Sequence, residues 1–332
     1  MSQKICLALY SGGLDSMLAV KVMQEQGIKV IALNFDIGFY FNDYLIKKGK
    51  KIYKGQVPPG FDVRVIDVSE EFFKMIKSPA HGFGKNMNPC IDCKILLLKK
   101  AKKLLDDYGA SFVITGEVLG QRPMTQNIKA MKIIEKQSGL EGVLLRPLCA
   151  KNLQPTIPEQ KGRVDREKLH DIQGRARKRQ LELAEKLGLS EYVKSPAGGC
   201  ILTDPGYSKR LESFFKLNPG KQISRKDAYL LSVGRHFIRD GKRFIIGRNK
   251  QDNEKLLKFA DTGAIFVTKS APGPVTLAFG ELNENEKEFI ARATAGYTKS
   301  EDEVEIEIRK NNTDETVKVT PAGKEGLKKY MV

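Results

Sequence analysis

Residues Leu7 to Val20 read LALYSGGLDSMLAV, and this short stretch decides the fold of the chain. The apolar run that ends at Tyr10 predicts a buried strand, and the helical spacing of Leu14 and Leu18 predicts a helix after it. A glycine-rich turn between them lies at a helix N-terminus, where backbone N–H groups lack intrahelical partners and the helix dipole is positive. Such a turn favours an anion, and phosphate is its usual ligand.

The alternation of strand and helix continues through the first half of the chain. Strands are predicted at Ile5–Tyr10, Lys29–Phe35, Asp62–Asp67 and Phe112–Thr115, and helices at Leu14–Gln26, Glu70–Lys77 and Cys93–Tyr108. This pattern predicts an α/β fold with a doubly wound, mostly parallel sheet between helices. Ligands of such sheets bind outside the carboxyl ends of the strands. We therefore expect Asn34, Thr115 and Gly116, at these ends, to line one nucleotide cleft together with the glycine-rich turn.

A basic segment follows the predicted sheet. Its sequence GRARKRQLELAEKLG, from Gly174 to Gly188, predicts a helix. The residues expected on its buried face are Leu181, Ala184 and Leu187.

A change to shorter strands marks a second, smaller domain. The change falls between Asp204 and Ser224, so we assign residues 1–206 to the first domain and residues 207–332 to the second. Strands are predicted at Arg235–Arg239, Arg243–Gly247, Ala264–Thr268 and Val275–Phe279, with a helix at Gln251–Ala260. The segments VEIEIRK and ETVKVTP predict a final hairpin around NNTD, which begins at Asn311. We therefore expect a small α/β domain here.

The composition limits the class of protein. The chain has 332 residues with 57 Lys and Arg against 40 Asp and Glu, a net charge of +17. This excess fits either an ordinary lysine-rich surface or a polyanionic partner, most plausibly nucleic acid. No run of about 18 apolar residues exists, which argues against a membrane span. With five cysteines and no signal-peptide pattern, we expect a cytoplasmic protein rather than a secreted disulfide scaffold.

Three of the cysteines form a pattern that packing does not explain. Cys90 and Cys93 make a C-x-x-C at the start of a periodic helix, where the helix N-terminus and nearby lysines are expected to lower the thiol pKa values. Cys200 ends a second glycine-rich segment, SPAGGC, which begins at Ser195. A C-x-x-C alone fits redox chemistry, zinc or coincidence. The two remaining cysteines are predicted to be packing residues: Cys6 and Cys149.

The turn SGGLDS lacks the Gly-Lys-Ser/Thr ending of a Walker P-loop, which argues against a kinase. It resembles the pyrophosphate loop (PP-loop) of ATP-pyrophosphatases, which adenylate their substrates. The resemblance implies ATP and Mg²⁺ as cofactors, with the β- and γ-phosphates leaving together as pyrophosphate. It implies that Asp15 caps the helix and orients Mg²⁺, while the phosphate donors are Ser11, Gly12, Gly13 and Ser16. The alternative is a plain strand-to-helix turn with a Ser/Asp cap.

Two further segments extend the resemblance. ITGEVLGQRPMTQN, from Ile114, and LLRPLCAKNL, from Leu144, closely resemble the synthetase domain of tRNA 4-thiouridine synthetases. The likeness spans Lys4 to Pro205, and similarly placed cysteines recur in tRNA 2-thiouridylases. It implies ATP-dependent thiolation of a tRNA uridine, with three catalytic residues: Asp15, Cys90 and Cys200. The synthetases usually carry N-terminal ferredoxin-like and THUMP modules that select the tRNA. The motifs favour uridine 8 as the target, giving 4-thiouridine, and the wobble uridine is the alternative.

Two routes of sulfur delivery follow from the resemblance. In one, a cysteine carries a persulfide and another closes a disulfide after transfer. In the other, which we favour, Cys90, Cys93 and Cys200 hold a [4Fe–4S] cluster, because three ligands leave one iron open for sulfide. The donor would be sulfide or a persulfide-carrying protein.

The C-terminal sequence suggests where RNA would bind. HFIRDGKRFIIGRNKQDNEKLLKFA, from His236, and FVTKSAPGPVTLAF, from Phe266, resemble the RNA-binding domain of NFACT proteins. The residues expected to contact tRNA phosphates are Arg235, Lys242, Arg243, Arg248, Lys250 and Lys269. Two other functions stay open. A different adenylating synthetase would leave the cysteines unexplained, and a non-catalytic RNA-binding protein would leave the ATP cleft unexplained.

Overall fold

A computed structural model describes residues 4–41, 43–47, 50–193, 199–310 and 313–332. Ser195 to Gly198 of the second glycine-rich segment lie outside the described residues, as do Asn311 and Asn312 of the predicted hairpin turn. The chain divides into two compact units. The first takes the described residues up to Thr203 together with Gln222–Arg225, and the second takes Asp204–Lys221 and Lys226–Val332.

The first unit contains seven described strands and six described α-helices. The strands are β1 (Ile5–Leu9), β2 (Lys29–Asp36), β3 (Tyr44–Lys47), β4 (Lys50–Tyr53), β5 (Asp62–Asp67), β6 (Val113–Thr115) and β7 (Leu144–Leu145). The helices are α1 (Leu14–Gln24), α2 (Ser69–Met75), α3 (Cys90–Lys103), α4 (Ile128–Ser138), α5 (Ile157–Gln160) and α6 (Lys178–Lys186).

Five of these strands form the predicted parallel sheet. Their order is β5-β2-β1-β6-β7, and every neighbouring pair is parallel. The chain fills one side of β1 with β2 and β5, and then the other side with β6 and β7. The topological switch point therefore lies between β1 and β6, which is where ligands of doubly wound sheets bind. Because Leu9 pairs with both Leu33 and Thr115, the ends of β1, β2 and β6 meet at one edge, as predicted.

Burial explains why these strands read as continuous apolar runs. Seven of the eight residues of β2 are buried, and eight of the eleven residues of α1 are buried as well. A parallel sheet covered on both faces leaves no solvent side for polar residues. The core of this unit therefore lies directly under the glycine-rich turn, and its packing holds the turn in place.

Helix α6 differs from its prediction. It is shorter than expected, and Leu181 is 46% exposed, so the predicted place of Leu181 in the buried face is wrong. The helix is rotated so that Gln180 and Ala184, four residues apart, face the core instead. Leu187 is partly buried against the core, as expected.

The second unit is built on an antiparallel sheet. Its strands are β8 (Arg235–Arg239), β9 (Lys242–Ile246), β10 (Ala264–Thr268), β11 (Val275–Ala278), β12 (Val304–Lys310) and β13 (Thr313–Val319), in the order β13-β12-β10-β11-β9-β8. Its helices are α7 (Pro205–Leu217), α8 (Arg225–Leu230, whose first residue belongs to the first unit), α9 (Lys250–Leu257), α10 (Glu284–Ala295) and α11 (Lys324–Lys328). Among the described helices, none is both long and apolar enough to span a membrane.

Candidate functional site

The glycine-rich turn forms a compact loop at the end of β1. The Ser16 hydroxyl donates to the Gly13 carbonyl at 2.7 Å and accepts the Ser11 N–H at 3.3 Å. The Gly13 N–H donates to the Ser11 hydroxyl at 3.3 Å. Gly13 is the N-cap of α1, so no side chain caps the first turn. Gly12 has φ +73°, a conformation that suits glycine. The loop therefore presents an uncapped helix N-terminus, which suits the phosphates of a nucleotide.

Asp15 lies in the first turn of α1 and faces this loop. Its Oδ2 accepts a hydrogen bond from Gln121 Nε2 at 3.1 Å, while its buried Oδ1 has no partner among the described residues. Burial raises the pKa of Asp15, and the Gln121 hydrogen bond and the charges of Arg177 and Arg122 oppose this rise. An unpartnered buried carboxylate oxygen beside a phosphate loop is a suitable ligand for a hard cation such as Mg²⁺.

The ends of β2 and β6 contribute in different ways. Asn34 is buried, donates to the Tyr10 carbonyl at 3.0 Å and accepts from the Tyr44 hydroxyl at 3.0 Å. Its amide therefore holds the strand end that leads into the loop. Gly116 packs against α1, since a Cβ there would lie 2.4 Å from the Asp15 carbonyl carbon and oxygen. The hydroxyl of Thr115 donates to Glu117 at 3.0 Å.

Two of the three predicted sulfur residues begin helix α3. Cys90 is the first residue of this helix, and its Sγ donates to the buried Asn88 Oδ1 at 2.9 Å. The Cys93 N–H bonds the Pro89 carbonyl at 2.8 Å, which closes the first turn. Cys90 and Cys93 are three positions apart in a helix, so both thiols lie on the same face of α3.

The third cysteine reaches this helix from more than a hundred residues away. The N–H and hydroxyl of Thr203 donate to the Cys200 carbonyl at 2.8 and 2.7 Å. The Asn86 amide then donates to the Thr203 carbonyl at 2.7 Å. This bridge ties the Cys200 segment to the chain that precedes α3. Cys200 and Cys90 both raise the pKa of Cys93, and Cys90 raises that of Cys200, so the three thiols are close enough to influence one another's ionisation.

The expected lowering of the thiol pKa values is wrong. Burial raises the pKa of Cys90 despite the opposing charges of Arg122 and Lys94, and it raises the pKa of Cys200. Burial and the neighbouring Cys200 raise the pKa of Cys93 to about 12. The reason is that the three cysteines are partly buried rather than at the surface. The cost of desolvating a thiolate therefore outweighs the effects of the helix N-terminus and the lysines.

The cluster prediction has mixed support. Three interacting thiols are a donor set that suits an iron–sulfur cluster. In the described part of the chain, however, no three His, Cys, Asp or Glu side chains are arranged so that they could hold a metal ion. Cys6 and Cys149 are buried, and the Cys149 Sγ donates to the Glu117 carbonyl at 3.2 Å, which agrees with their predicted packing role.

Two groups of residues escaped the sequence prediction. Arg122 is exposed, and its positive charge opposes the rise of the pKa values of Asp15, Cys90 and Cys200. Arg122 lies in the segment GQRPMTQ, which resembles the synthetase motif. Nothing in that segment indicates that its arginine acts on both the phosphate loop and the thiols. The second group is a buried network around Glu117.

The Glu117 network connects several elements beneath the site. Glu117 Oε2 accepts from Arg146 Nε at 3.1 Å, and Arg146 Nη1 donates to Glu135 Oε2 at 2.9 Å. Lys94 Nζ lies 3.6 Å from Glu117 Oε1. Burial alone would raise the pKa of Glu117, but the charges of Lys94 and Arg146 outweigh it and lower the pKa. The motifs TGE and LRPL contain Glu117 and Arg146, and this pair explains why both charges are tolerated in the core.

The six residues predicted to bind RNA lie in the second unit in different surroundings. Lys242, Arg248 and Lys269 each form an ion pair, with Glu286, Asp252 and Glu307 respectively. The guanidinium of Arg243 stacks 4.1 Å from the centre of the Phe279 ring, and that of Arg235 lies 4.7 Å from the centre of the Tyr297 ring. Lys250 is exposed at the start of α9.

Two family models match this chain. Residues 1–157 match the model described as thiamine biosynthesis protein (ThiI), and residues 234–331 match the NFACT protein RNA binding domain. The first part of the chain is thus similar to the ThiI family, and the C-terminal part is similar to the NFACT RNA-binding domain. The segment that the ThiI model matches includes the phosphate loop, Asn34, Cys90, Cys93 and Gly116, and it ends before Cys200.

Several known proteins share part of this chain. A probable tRNA sulfurtransferase of Thermococcus kodakarensis is 30% identical over 148 residues, which cover 43% of this chain and 36% of that protein. The tRNA-specific 2-thiouridylase MnmA of Dehalococcoides mccartyi is 24% identical over 237 residues, covering 68% of this chain and 61% of the relative. A solved 4-thiouridine synthetase–RNA complex with bound ATP is 16% identical with a TM-score of 0.40, covering 68% of this chain and 53% of that one. The chain thus spans about a third to three fifths of the length of these curated relatives.

Proposed function

We propose that this protein uses ATP to thiolate a uridine of tRNA, releasing AMP and pyrophosphate. The observation that carries the proposal is the phosphate loop, where the N-terminus of α1 is uncapped and the buried Oδ1 of Asp15 has no partner among the described residues. The end of β6 meets this loop at Gly116, and Glu117 beside it lies 3.6 Å from Lys94 of the helix that begins with Cys90 and Cys93. A nucleotide site next to a helix that carries two of the thiols fits a reaction that first adenylates a base and then delivers sulfur to the same carbon.

The first step needs an electrophile, because the oxygen of a uracil carbonyl is a poor leaving group. Attack of that oxygen on the α-phosphate of ATP makes it part of AMP and releases pyrophosphate. The uncapped N-terminus of α1 and the hydroxyls of Ser11 and Ser16 would bind the β- and γ-phosphates. The orphan oxygen of Asp15 would hold Mg²⁺, which neutralises charge on the phosphates. Arg122 and Arg177 would stabilise the charge that develops in the transition state.

The second step is attack by sulfur on the activated carbon, with AMP as the leaving group. Cys90, Cys93 and Cys200 are the residues that would deliver it. In the persulfide route, the outer sulfur of one cysteine would attack the carbon, and a second cysteine would release the thiolated base by forming a disulfide that an external thiol reduces. In the cluster route, the three cysteines would be ligands of a [4Fe–4S] cluster. A bound cluster would supply one iron without a protein ligand, at which sulfide can be held. The rise of the thiol pKa values by burial means that free thiolates are disfavoured here, so a proton acceptor or a bound cation must accompany their reaction.

The target we propose is uridine 8, giving 4-thiouridine, in the cytoplasm. The ThiI-family match of the loop segment and the name of the Thermococcus relative support it. The likeness to 2-thiouridylases favours the wobble uridine as the second candidate. The NFACT RNA-binding domain supports tRNA as the partner.

The test is thiolation of an unmodified tRNA transcript by the purified protein with ATP under anaerobic conditions, in parallel reactions with sulfide or with a persulfide donor and a thiol reductant. Pyrophosphate release and nucleoside mass spectrometry are measured together, since the latter separates 4-thiouridine from 2-thiouridine. We expect Asp15→Asn to abolish pyrophosphate release. Cys200→Ala should keep pyrophosphate release and lose thiouridine, because it removes only the sulfur step.

The matched control is Cys149→Ala, which removes a buried thiol that lies outside the proposed sulfur site. It should keep both activities. Normal thiolation by Cys200→Ala, or RNA-independent pyrophosphate release with another acceptor, would contradict the proposal. Iron analysis of the same anaerobic samples separates the two sulfur routes, because full activity without iron excludes the cluster.

A further inference from the structure

A lysine-rich hairpin in the first unit belongs to none of the motifs described so far. Strands β3 and β4 lie in the connection between β2 and β5 and pair only with each other. The connection therefore places the hairpin at the carboxyl edge of the sheet, next to the phosphate loop. An isolated two-stranded hairpin is marginally stable in water, so contacts with the rest of the unit must hold it.

One face of the hairpin supplies these contacts. The Tyr44 hydroxyl donates to Asn34 Oδ1 at 3.0 Å, and Lys51 Nζ lies 2.7 Å from the buried Asp36 Oδ2 and also pairs with Asp67. The phenol tip of Tyr53 lies so close to Gly12 that a Cβ at Gly12 would be 2.0 Å from its oxygen. Tyr44, Lys51 and Tyr53 thus anchor this inner face to the ends of β1, β2 and β5.

The other face is exposed. Because side chains alternate between the two faces of a strand, this outer face carries the residues between those of the inner face. Leu45 is paired with Ile52, and Lys47 is paired with Lys50. Leu45 and Ile52 are 56% and 43% exposed. Like charges placed directly opposite each other in a hairpin destabilise it. Among the described residues, no carboxylate forms an ion pair with Lys47, Lys50 or the following Lys54.

The sequence makes this charge unusual for a structural element. Lys47 to Lys54 contain five lysines among eight residues and no acidic residue. Of the described lysines here, only Lys51 is used for anchoring. Lys47, Lys50 and Lys54 are exposed and have no ion-pair partner among the described residues, while Tyr53 on the other face of the hairpin contacts the phosphate loop.

We propose that the outer face of the β3–β4 hairpin binds the phosphate backbone of tRNA next to the active site. This inference rests on the proposed tRNA substrate. Lys47, Lys50 and Lys54 complement the polyanion, and Leu45 and Ile52 contact sugar surfaces between the phosphates. Because the inner face carries Tyr53 against Gly12, RNA bound outside also fixes the position of Tyr53 over the phosphate loop. By reciprocity, tRNA then tightens ATP binding and ATP tightens tRNA binding.

The test compares two triple variants of the full chain with equal loss of charge. The hairpin variant is Lys47→Gln, Lys50→Gln and Lys54→Gln. The control variant is Lys99→Gln, Lys102→Gln and Lys103→Gln, three exposed lysines towards the far end of α3, roughly 14 to 20 Å from Cys90 by the helical rise. Filter binding measures the Kd for a tRNA transcript at several KCl concentrations, and equilibrium dialysis measures ATP binding with and without tRNA.

We expect the hairpin variant to lose at least ~10-fold in tRNA affinity at 150 mM KCl, with a salt slope smaller by roughly 3. The control variant should stay within about 2-fold of the wild type. ATP affinity without tRNA should equal that of the wild type, which also shows that the hairpin variant folds. The tightening of ATP binding by tRNA should disappear in the hairpin variant alone. Equal tRNA affinities and salt slopes in the two variants overturn the proposal.

Two further readouts separate this inference from the proposed function. If the wild type makes no thiouridine but the hairpin variant still loses tRNA affinity, the hairpin proposal stands and the proposed function fails. If the wild type thiolates tRNA and the hairpin variant does so with an unchanged KM, the hairpin proposal fails alone. A basic hairpin with exposed aliphatic residues also suits an anionic membrane. Loss of binding to phosphatidylglycerol vesicles in the hairpin variant, with tRNA affinity unchanged, overturns the choice of RNA.

Discussion

Gly116 shows how close the end of β6 approaches the phosphate loop. The contact is with backbone, the carbonyl group of Asp15, which cannot move aside as a flexible side chain can. The backbone at Gly116 has an ordinary φ, so close approach alone explains the glycine. Substitution there should therefore act on the loop rather than on the strand.

Gly116→Ala is expected to weaken ATP binding by at least 10-fold, because the first turn of α1 must shift to admit the methyl group. Equilibrium dialysis with ATP measures the effect, and circular dichroism checks that the fold is kept. Gly326→Ala in α11 is the control, since a Cβ there meets nothing within 4 Å. Equal ATP affinities for the two variants would show that the loop tolerates displacement.

Arg122 should act in catalysis rather than in folding, because its side chain is exposed. Arg122→Gln is expected to lower kcat for pyrophosphate release by roughly 10²-fold, the usual cost of one lost transition-state contact. Arg122→Lys should recover part of this loss, since it keeps the charge without the fork of donors. The pair of variants is compared at saturating ATP and tRNA. An unchanged kcat in Arg122→Gln would exclude the proposed role.

At the scale of single residues, sequence reasoning reached only those with a local signal. Ser11, Gly12 and Gly13 are marked by their neighbours along the chain. Arg122 and Tyr53 are marked by nothing local, because their place near the loop depends on how distant segments fold.

At the scale of elements, the strands of the sheet were the easiest to predict. Strand β5 has the predicted bounds Asp62–Asp67, and β8 and β10 also agree with their predictions. These short segments are rich in β-branched and aromatic residues and are bounded by glycine or polar residues, which is the usual signal of a strand. Helix α3 begins three residues earlier and ends five residues earlier than predicted, since Pro89 is its N-cap.

Two elements of the structure, helix α10 and the β3–β4 hairpin, are absent from the sequence prediction. Helix α10 begins with a capping box in which Asn283 and Glu286 bond each other's backbone N–H groups. The β3–β4 hairpin lacks the alternation of apolar and polar residues that marks a half-buried strand, because its inner face is anchored by Tyr53 against the core and by the polar groups of Tyr44 and Lys51 rather than by a row of aliphatic side chains. From the sequence alone, this lysine-rich segment therefore looks like a loop. The contacts of its inner face, which stabilise the hairpin, depend on residues distant in the sequence.

The Glu117 network joins β6 to α3 and α4, so its loss should destabilise the whole first unit. Arg146→Met is expected to cost about 3 kcal/mol of unfolding free energy, because it leaves Glu117 buried without its main partner. Urea denaturation measures this value. Lys178→Met is the control, since its pair with Glu182 is exposed on both sides and should contribute less than about 0.5 kcal/mol. A cost below 1 kcal/mol for Arg146→Met would contradict a structural role for the network.

At the scale of the whole chain, Arg225 forms ion pairs with carboxylates that are far from it in the sequence. These carboxylates lie at the end of β2 and at the end of β5. Its guanidinium bonds Asp36 at 2.9 Å and Asp67 at 2.6 Å, across 189 and 158 residues of sequence. Lys51 pairs with the same two carboxylates. Burial alone would raise the pKa of Asp67, but hydrogen bonds from Lys51 and Ser69 and the charge of Arg225 lower it far below its ordinary value of 3.8.

This arrangement predicts a pH dependence of stability. A lowered pKa adds stability that is complete above about pH 5 and is lost progressively as the pH falls below it. Arg225→Gln should therefore destabilise the protein by about 1 kcal/mol at pH 7, less than the usual value of hydrogen bonds to charged groups because its side chain is 40% exposed. The difference from wild type should shrink as the pH falls from 4 towards 2. Arg292→Gln, which breaks an exposed pair with Glu288, should show no such trend in the same urea titrations. A constant difference across this range would contradict the linkage.

Gln222–Arg225 belong to the first unit, although the residues before and after them in the sequence belong to the second. This arrangement limits the positions at which recombination can exchange one unit for that of another protein. A crossover at Thr203 would exchange Arg225 and leave Asp36 and Asp67 with Lys51 as their remaining cation. A crossover after Arg225 would keep the ion pairs but would carry Asp204–Lys221 away from the unit to which it belongs. No single breakpoint separates the two units, so chimaeras should inherit them intact only when two breakpoints or a substitute arginine are supplied.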